Sequence, residues 1–276
     1  MQLSVSCRIA EGFLSKKEAS MSLAELAALA VSAGYDAICM RASQIGVQSS
    51  SDEVVNARRI LEDHGLNVSM ITGDFDIVYN NDRGPECLRS IGPYLDLAES
   101  LRAPLLRVCV KQREDIPYAQ DAADKAADRG LTLVHQCHTL SLFETLDGII
   151  ECLEEIDRPS FGLIFEPANL EACRQDYTST AINRVAPWIR NVYLQNQQLN
   201  PDGHLTLNTW CSGPVSFDIT QIHEAGGIDF AEVFGGLRTI GYDGTVTVHQ
   251  SGPEDSKTCP VAAATQTAAY LRELWN

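Results

Sequence analysis

The chain has 276 residues, of which 45% are hydrophobic and 21% are charged, and this composition suits one large α/β domain or two small ones. Its formal net charge is −16, from 21 basic and 37 acidic side chains. This balance argues against a nucleic-acid partner, because binding to phosphate backbones requires clustered Lys and Arg. A small anionic substrate is not excluded, since one or two local basic side chains suffice to bind it.

The cysteines and the N-terminal segment indicate where the protein works. None of the nine cysteines forms a CxxC pair and several lie within apolar runs, which favours reduced, buried thiols. The segment MQLSVSCRIAEG has no basic patch followed by an apolar run, so we expect no signal peptide. No apolar run approaches the ~18–20 residues needed to span a bilayer. We therefore expect a cytoplasmic protein with no membrane partner.

Strand-like and helix-like segments alternate along the whole chain. The first predicted helix has Ser22 as its N-cap and Gly34 as its stop signal. The predicted strands are QLSVSC, YDAICMR, LNVSMITG, PLLRVCVK, LTLVHQC, FGLIFEP, IRNVYLQN and GTVTVHQ. The predicted helices are SLAELAALAVSAG, DEVVNARRILEDHG, residues 85–101, residues 117–129, SLFETLDGIIECLEEI, residues 169–185, DFAEVFGGLRTIG and CPVAAATQTAAYLRELW.

Eight strand–helix units in this order predict a (β/α)8 TIM barrel that forms a single domain over residues 1–276. An open doubly wound sheet would usually carry a Gly-rich turn after its first strand, and CRIAEGF has none. Ser141, followed three residues later by Glu144, has the pattern of a capping box for the helix after the fifth strand. A long polar loop is expected from about Gln197 to Ile228, on the face where such barrels carry function.

Chemically active side chains follow the predicted strands at their carboxyl ends. Side chains on a barrel strand alternate between the interior and the helix layer, so Gln136 and His138 are expected to face inward and His135 outward. The residues that could share the mouth of the barrel are Gln136, His138, Glu166, Tyr193, Gln195 and His249. The sequence therefore predicts a site at this end of the barrel.

Three stretches resemble the sugar phosphate isomerase/epimerase superfamily, the xylose-isomerase-like TIM barrels. They are SLAELAALAVSAGYDAICMR, IDFAEVFGGLRTIGYDGTVTV, and the fifth and sixth strands between them. The segment GGIDFAEVFGGLRTIGYDG is the most specific match. The resemblance implies a divalent metal held by Glu, Asp, His and Glu from the fifth to the eighth strands. It also implies proton transfer by two Glu at the carbon next to a carbonyl.

The sequence departs from that family pattern at each ligand position. Gln136 stands in place of the fifth-strand Glu, whereas the His two residues later is kept as His138. Glu166 stands in place of the sixth-strand Asp, with Asn169 at the position of the following His. Tyr193 and Asn196 replace a His and an acid on the seventh strand, and His249 replaces the last Glu. The two-Glu proton shuttle of the family therefore cannot operate here unchanged.

The substituted residues still permit chemistry. Glu166, His249 and His138 are the predicted catalytic acids or bases. Gln136 can coordinate through its amide oxygen but cannot take a proton. Gln136, Glu166 and His249 could hold Mn²⁺, Zn²⁺ or Mg²⁺, more weakly than a site with three acids would. No organic cofactor is expected.

Substrate-binding roles are predicted for Arg107, Lys111, Asn169, Tyr193 and Gln195. Arg41, Arg107 and Lys111 could bind a carboxylate or phosphate, or could instead form ion pairs. Glu166 has a structural alternative, an ion pair with Arg107 or Lys111, because a buried charge must find a partner.

The residues and the resemblance together predict an enzyme that abstracts a proton next to a carbonyl group of a small sugar, keto-sugar or sugar acid. Isomerisation, epimerisation, dehydration and decarboxylation remain open as outcomes. The alternative is a catalytically altered family member, either a lyase or decarboxylase of a keto-sugar or a non-catalytic sugar-binding protein. A nuclease is disfavoured by the acidic charge. Family members often associate, so a homo-oligomer is an open expectation.

Overall fold

Eleven strands lie in the part of the chain that the computed structural model describes, residues 1–12, 14–251 and 260–275. In chain order they are β1 (Gln2–Ser6), β2 (Ala37–Arg41), β3 (Asn67–Thr72), β4 (Leu105–Arg107), β5 (Thr132–Gln136), β6 (Phe161–Phe165), β7 (Ile189–Leu194), β8 (Gln197–Leu199), β9 (Leu205–Thr209), β10 (Gly213–Ile219) and β11 (Thr245–Val248). Eight of them pair in parallel and close in the order β1-β11-β7-β6-β5-β4-β3-β2. The predicted (β/α)8 barrel is confirmed.

The helices form the outer layer of the barrel. Within the same described ranges they are α1 (Leu23–Ala33), α2 (Ser51–Asp63), α3 (Phe75–Tyr79), α4 (Glu86–Arg89), α5 (Gly92–Ser100), α6 (Ile116–Ala127), α7 (Leu146–Ile156), α8 (Pro167–Ala172), α9 (Ser179–Val185), α10 (Phe230–Thr239) and α11 (Pro260–Trp275). Ser22 caps α1 through a capping box with Glu25, and Gly34 ends the helix in the left-handed region at φ +82°. Both predicted end signals of α1 are therefore confirmed.

Three helix predictions are corrected. The expected helix over residues 169–185 is two helices, α8 and α9, separated by residues 173–178. The expected helix over residues 85–101 is two helices, α4 and α5, because Pro93 lies in the first turn of α5, where its ring and missing N–H favour a new start. The helix α7 is capped by Thr145 instead of Ser141. The Ser141 hydroxyl donates to the His138 carbonyl at 2.7 Å and accepts from the Phe143 amide, so it stabilises the turn that precedes the helix.

The barrel interior contains a small apolar cluster below the carboxyl ends of the strands. It consists of Cys39, Met70, Val134, Ile164 and Tyr193, all fully buried. Val134 and Ile164 lie two residues before Gln136 and Glu166 on their strands, which agrees with the predicted alternation. His135 faces outward, where its ring packs edge-on against Phe143 with 4.5 Å between centroids. The alternation thus directs Gln136 and Glu166 inward.

The long segment after β7 is not an irregular loop. Strands β8, β9 and β10 form a three-stranded antiparallel sheet in the order β8-β10-β9, inserted between β7 and α10. Alternation of apolar and polar residues, as in LTLNT and PVSFDI, carries this signal, although both stretches are short and polar. The inserted sheet, residues 197–219, reaches the carboxyl end of the barrel and contributes to the site described below.

Among the described residues, no helix is long and apolar enough to cross a membrane. The eight cysteines that lie in the described ranges are free thiols, and all of them except Cys211 are buried. The cytoplasmic location and the homo-oligomer stay predictions.

Candidate active site

A cavity of about 290 Å³ opens at the carboxyl ends of the barrel strands. Tyr79 and Asn80, at the end of α3, line one part of it, and residues 206–208 of β9 line another. Because β9 belongs to the inserted sheet, that sheet covers part of the barrel mouth. The position agrees with the functional end of (β/α)8 barrels.

Most residues that the sequence predicts for the site line this cavity. They are Arg107, Gln136, His138, Asn169, Gln195 and His249. They follow β4, β5, β6, β7 and β11, so the fold brings together residues up to 142 positions apart (249 − 107). Their shared location is a structural observation, whereas their individual roles stay predictions.

Glu166 is fully buried beside two residues of the cavity lining. Its Oε2 atom accepts a hydrogen bond from the Gln136 amide and another, at 2.9 Å, from Asn169 Nδ2. Its Oε1 atom has no hydrogen-bond partner among the described residues. Burial raises the pKa of Glu166 to about 7, against the opposing effects of the Gln136 hydrogen bond and the charge of Arg107. Two neutral amides therefore hold the carboxyl group, in place of the ion pair considered from the sequence.

His138 and His249 supply neutral imidazoles to the cavity. Burial, with the positive charge of Arg107, lowers the pKa of His138 well below its usual range. Burial and the charge of Arg41 act in the same way on the pKa of His249. His138 Nδ1 lies 3.0 Å from the Thr139 carbonyl oxygen, which can only accept. Nδ1 therefore carries the proton, and Nε2 keeps the lone pair that a general base needs.

Two predicted substrate-binding residues, Tyr193 and Lys111, lie outside the cavity lining, and their substrate-binding roles stay predictions. Tyr193 is fully buried beside His249, with the two rings stacked at 3.9 Å, and its hydroxyl lies 3.2 Å from Cys39 Sγ. Lys111 Nζ donates to the Asn80 carbonyl and to Asp82 Oδ1, both at 3.0 Å. Tyr193 thus supports the His249 ring, and Lys111 fixes the segment between α3 and α4.

Four basic side chains line the cavity, and sequence reasoning identifies only two of them, Arg41 and Arg107. Arg8 and Lys16 lie in the segment between β1 and α1, and no motif marks them. The available signal is position alone, since this segment follows the carboxyl end of a barrel strand. Burial, together with the charges of Arg8, Arg41 and Arg107, lowers the pKa of Lys16 to about 6. Lys16 is therefore mainly neutral near pH 7, and the three arginines carry the positive charge of the cavity in a protein whose net charge is negative.

Glu11 neutralises part of this positive charge. Arg41 donates from Nε to Glu11 Oε1 and from Nη2 to Oε2, both at 2.9 Å, and both side chains are almost completely buried. Arg8 Nη1 lies 3.7 Å from the same carboxylate. Two buried donors nevertheless have no hydrogen-bond partner among the described residues, Arg41 Nη1 and Arg107 Nε. One carboxylate thus compensates only part of the positive charge that surrounds the cavity.

The predicted metal ligands, Gln136, Glu166 and His249, do not fit a divalent cation. The donor set offers one carboxylate, and the Gln136 amide directs its N–H, which cannot ligate, toward that carboxylate. Among the described residues, the oxygens Gln136 Oε1 and Glu166 Oε1 lack hydrogen-bond partners and are available as neutral or weakly anionic metal ligands. Hard divalent ions favour sites with several anionic oxygens, and the three arginines of this cavity repel a cation.

A second group of potential ligands lies under the inserted sheet. Three side chains in the described ranges have potential metal-ligand atoms within 4.8 Å of one another. They are Glu144, Cys173 and Cys211. Its carboxylate is already engaged, because Glu144 accepts from the backbone amides of Leu140, Trp210 and Cys211, the last two at 2.9 Å. Glu144 therefore attaches the β9–β10 turn to the barrel, which explains why it is not a cap of α7.

Replacing Glu144 with Ala is expected to release the β9–β10 turn, because three backbone amides lose their acceptor. Loss of these three hydrogen bonds is expected to lower protection of the 205–219 amides from hydrogen exchange by about 10- to 100-fold. Exchange monitored by mass spectrometry measures this, with Glu151→Ala as the control, since Glu151 is an exposed α7 residue paired with Arg113 at 3.1 Å. Equal exchange in the two variants would contradict the assignment of Glu144 as the attachment point.

Comparisons with known proteins agree with this architecture. An inosose dehydratase of Geobacillus thermodenitrificans (strain NG80-2) is 24% identical over 151 residues, which cover 54% of this chain and 50% of that protein. The chain thus matches about half the length of this curated relative.

Two solved structures illustrate the shared fold. The probable 3-DHS dehydratase AsbF from Bacillus anthracis, involved in petrobactin synthesis, superposes with a TM-score of 0.71 at 15% identity, over 99% of both chains. A xylose isomerase-like TIM barrel protein from Mycobacterium smegmatis, in complex with magnesium, gives a TM-score of 0.71 at 15% identity, over 100% of this chain and 96% of that one. At such identities the likeness shows the fold alone.

The family model described as xylose isomerase-like TIM barrel matches residues 27–274, which is most of the chain. That range contains β2 to β11 and with them the polar residues that follow β4, β5, β6, β7 and β11 in the cavity. The resemblance read from the sequence is therefore confirmed: the chain belongs to the xylose isomerase-like TIM barrel family.

Proposed function

We propose that the protein enolises a polyhydroxylated carbonyl compound, removing a proton next to the carbonyl group and then eliminating water. The observation that carries the proposal is the set of three proton-transfer groups, His138, Glu166 and His249, at or beside one cavity at the functional end of the barrel. The cavity volume of about 290 Å³ suits a substrate of the size of a monosaccharide or cyclic polyol.

The first step is assigned to His138. Its Nε2 lone pair takes the proton from carbon, because the Thr139 carbonyl holds the other nitrogen as N–H. The C–H electron pair forms the enolate. The amides of Gln136 and Asn169 hold the neighbouring carboxyl group in place through Oε2.

The second step is assigned to Glu166. Its raised pKa, about 7, makes the protonated carboxyl group available near neutral pH. The proton passes to the hydroxyl on the next carbon, the C–O bond breaks, and water leaves as the C=C bond forms. Charge and atoms balance, since one proton is taken from carbon and one is given to the leaving hydroxyl.

Elimination is favoured over epimerisation by the type of residues present. Epimerisation by the family's shuttle requires a carboxylate on each side of the carbon, and Gln136 supplies an amide on one side. The similarity to an inosose dehydratase supports the same choice. Isomerisation remains the second outcome of the same enolate.

To test this proposal, the protein is incubated in D₂O with a panel of inososes, keto-sugars and keto sugar acids. One set of reactions uses chelator-treated buffer, and the other uses buffer with added Mg²⁺ or Mn²⁺. Deuterium incorporation detected by NMR reports enolisation, and loss of one water in the mass spectrum reports elimination. We expect both, at the same rate in the two buffers, because the donor set does not fit a metal.

The outcomes separate the alternatives. Deuterium exchange without water loss would support isomerisation or epimerisation in place of dehydration. Ligand binding without exchange would contradict an enzyme and favour the non-catalytic sugar-binding protein. Exchange that requires added metal would overturn the assignment of the proton transfers to a metal-free site.

A further inference from the structure

The cavity is divided into two chemically distinct halves. Arg8, Lys16, Arg41 and Arg107 come from the segments that follow β1, β2 and β4. His138 and His249 line the other half, from the segments that follow β5 and β11, and Glu166 lies behind the lining residues Gln136 and Asn169. A substrate that fills the cavity therefore contacts basic side chains at one end and the two histidines at the other.

Arg41 and Arg107, in the basic half, keep hydrogen-bonding capacity that no described residue uses. Among the described residues, Glu11 pairs with Arg41, and Glu166 is held by neutral amides. Arg107 is 2% exposed, and among the described residues neither its Nε nor Arg41 Nη1 has a hydrogen-bond partner. A buried donor without an acceptor is costly, and an anion would supply the acceptor for these two atoms.

We infer that the substrate is an acidic sugar derivative, whose carboxylate or phosphate group binds between Arg41 and Arg107 with Arg8 and Lys16 beside them. This inference names the substrate class and rests on the proposed function only for the chemistry that follows binding. Guanidinium groups match both anions, since their planar N–H donors pair with carboxylate and phosphate oxygens. The anion fixes one end of the substrate so that the carbonyl end lies among His138, Glu166 and His249.

Three six-carbon probes without a ketone or aldehyde test the inference by calorimetric titration, since none of them can be enolised as a sugar ketone would be. D-Glucitol is neutral, D-gluconate carries a carboxylate, and D-glucitol 6-phosphate carries a phosphate ester. We expect at least one anionic probe to bind about 10- to 100-fold more tightly than D-glucitol, the range expected for charge-assisted hydrogen bonds. The preferred probe identifies which anion the substrate carries.

Two variants locate the binding. Arg107→Gln is expected to remove most of the preference for the anionic probe. Lys16→Gln is expected to reduce it less, because burial lowers the pKa of Lys16 to about 6 and leaves it mainly neutral near pH 7. Arg113→Gln is the control, since Arg113 is exposed and pairs with Glu151 and Glu155 away from the cavity. Thermal unfolding measures whether each variant is folded. If Arg107→Gln does not fold, Lys16→Gln still tests the inference.

The result that overturns the inference is equal affinity for the three probes, or an anion preference that both cavity variants retain. Its failure is distinguishable from failure of the proposed function. Anion binding without deuterium exchange on any keto-acid would support this inference and contradict the proposed enzymatic function. Deuterium exchange on neutral keto-sugars without anion binding would support the proposed function and contradict this inference.

Discussion

Replacing Glu166 with Gln is expected to lower kcat/KM by about 10²- to 10⁴-fold, the range for loss of a positioned acid or base. Gln keeps the size of the side chain and a carbonyl oxygen, so the amides of Gln136 and Asn169 retain an acceptor. The variant loses only the group that can gain and release a proton. Steady-state kinetics on the substrate found by deuterium exchange measures the effect.

Stability distinguishes a catalytic role of Glu166 from a structural one. Among the described residues Glu166 has no ion-pair partner, and burial outweighs the charge of Arg107 in its raised pKa, so replacement by Gln is expected to leave the free energy of unfolding unchanged or raise it. Glu171→Gln is the matched control, because Glu171 lies on α8 and also has a buried carboxylate oxygen without a hydrogen-bond partner among the described residues. A loss of stability with unchanged kcat/KM would show that Glu166 serves the fold instead of the reaction.

The barrel and the location of the site are predictable from this sequence because both depend on local patterns. Period-2 and period-3.6 hydrophobicity marks the eight strand–helix units, and Ser22 and Gly34 mark a helix by the chemistry of its ends. The alternation along β5 and β6 then directs Gln136 and Glu166 inward. Each of these inferences uses residues within one element or its neighbour.

The remaining features of the site depend on contacts between distant segments. Glu144 follows Ser141 at the spacing of a capping box, yet its carboxylate binds amides 66 and 67 residues further along the chain. The same limit applies to Arg8 and Lys16, which are ordinary residues of a polar segment until closure of the barrel places β1 beside β11. Local propensity describes neither interaction, because both are decided by tertiary packing.

The positive cavity also could not be derived from composition. A net charge of −16 describes the surface average, whereas the four basic side chains of the cavity gather in one place. Their convergence has a structural cost, which Glu11 reduces. Burial alone would raise the pKa of Glu11, but its ion pair with Arg41 and its hydrogen bond from Ser43 lower it overall. Glu11 thus links the stability of the barrel to the charge of the site.

Replacing Glu11 with Gln is expected to destabilise the protein by about 3–5 kcal/mol, the cost of leaving a buried charge without its partner. Arg41 is 1% exposed and keeps its charge, so the loss of the Glu11 carboxylate adds to the unpaired positive charge around the cavity. Urea unfolding measures the change. The control is Glu62→Gln, an exposed residue paired with Arg58 and Arg102, for which about 0–1 kcal/mol is expected.

The anion-binding cavity adds a second expected result for the same variant. An anion that binds the folded state stabilises it in proportion to the logarithm of ligand concentration over Kd. With Glu11 neutralised, the basic side chains attract an anion more strongly, so the preferred anionic probe is expected to raise Tm more in Glu11→Gln than in the wild type. D-Glucitol at the same concentration is the control for an osmolyte effect. A Glu11→Gln variant as stable as Glu62→Gln, with no response to the anion, would show that Arg41 does not depend on Glu11 for its charge balance.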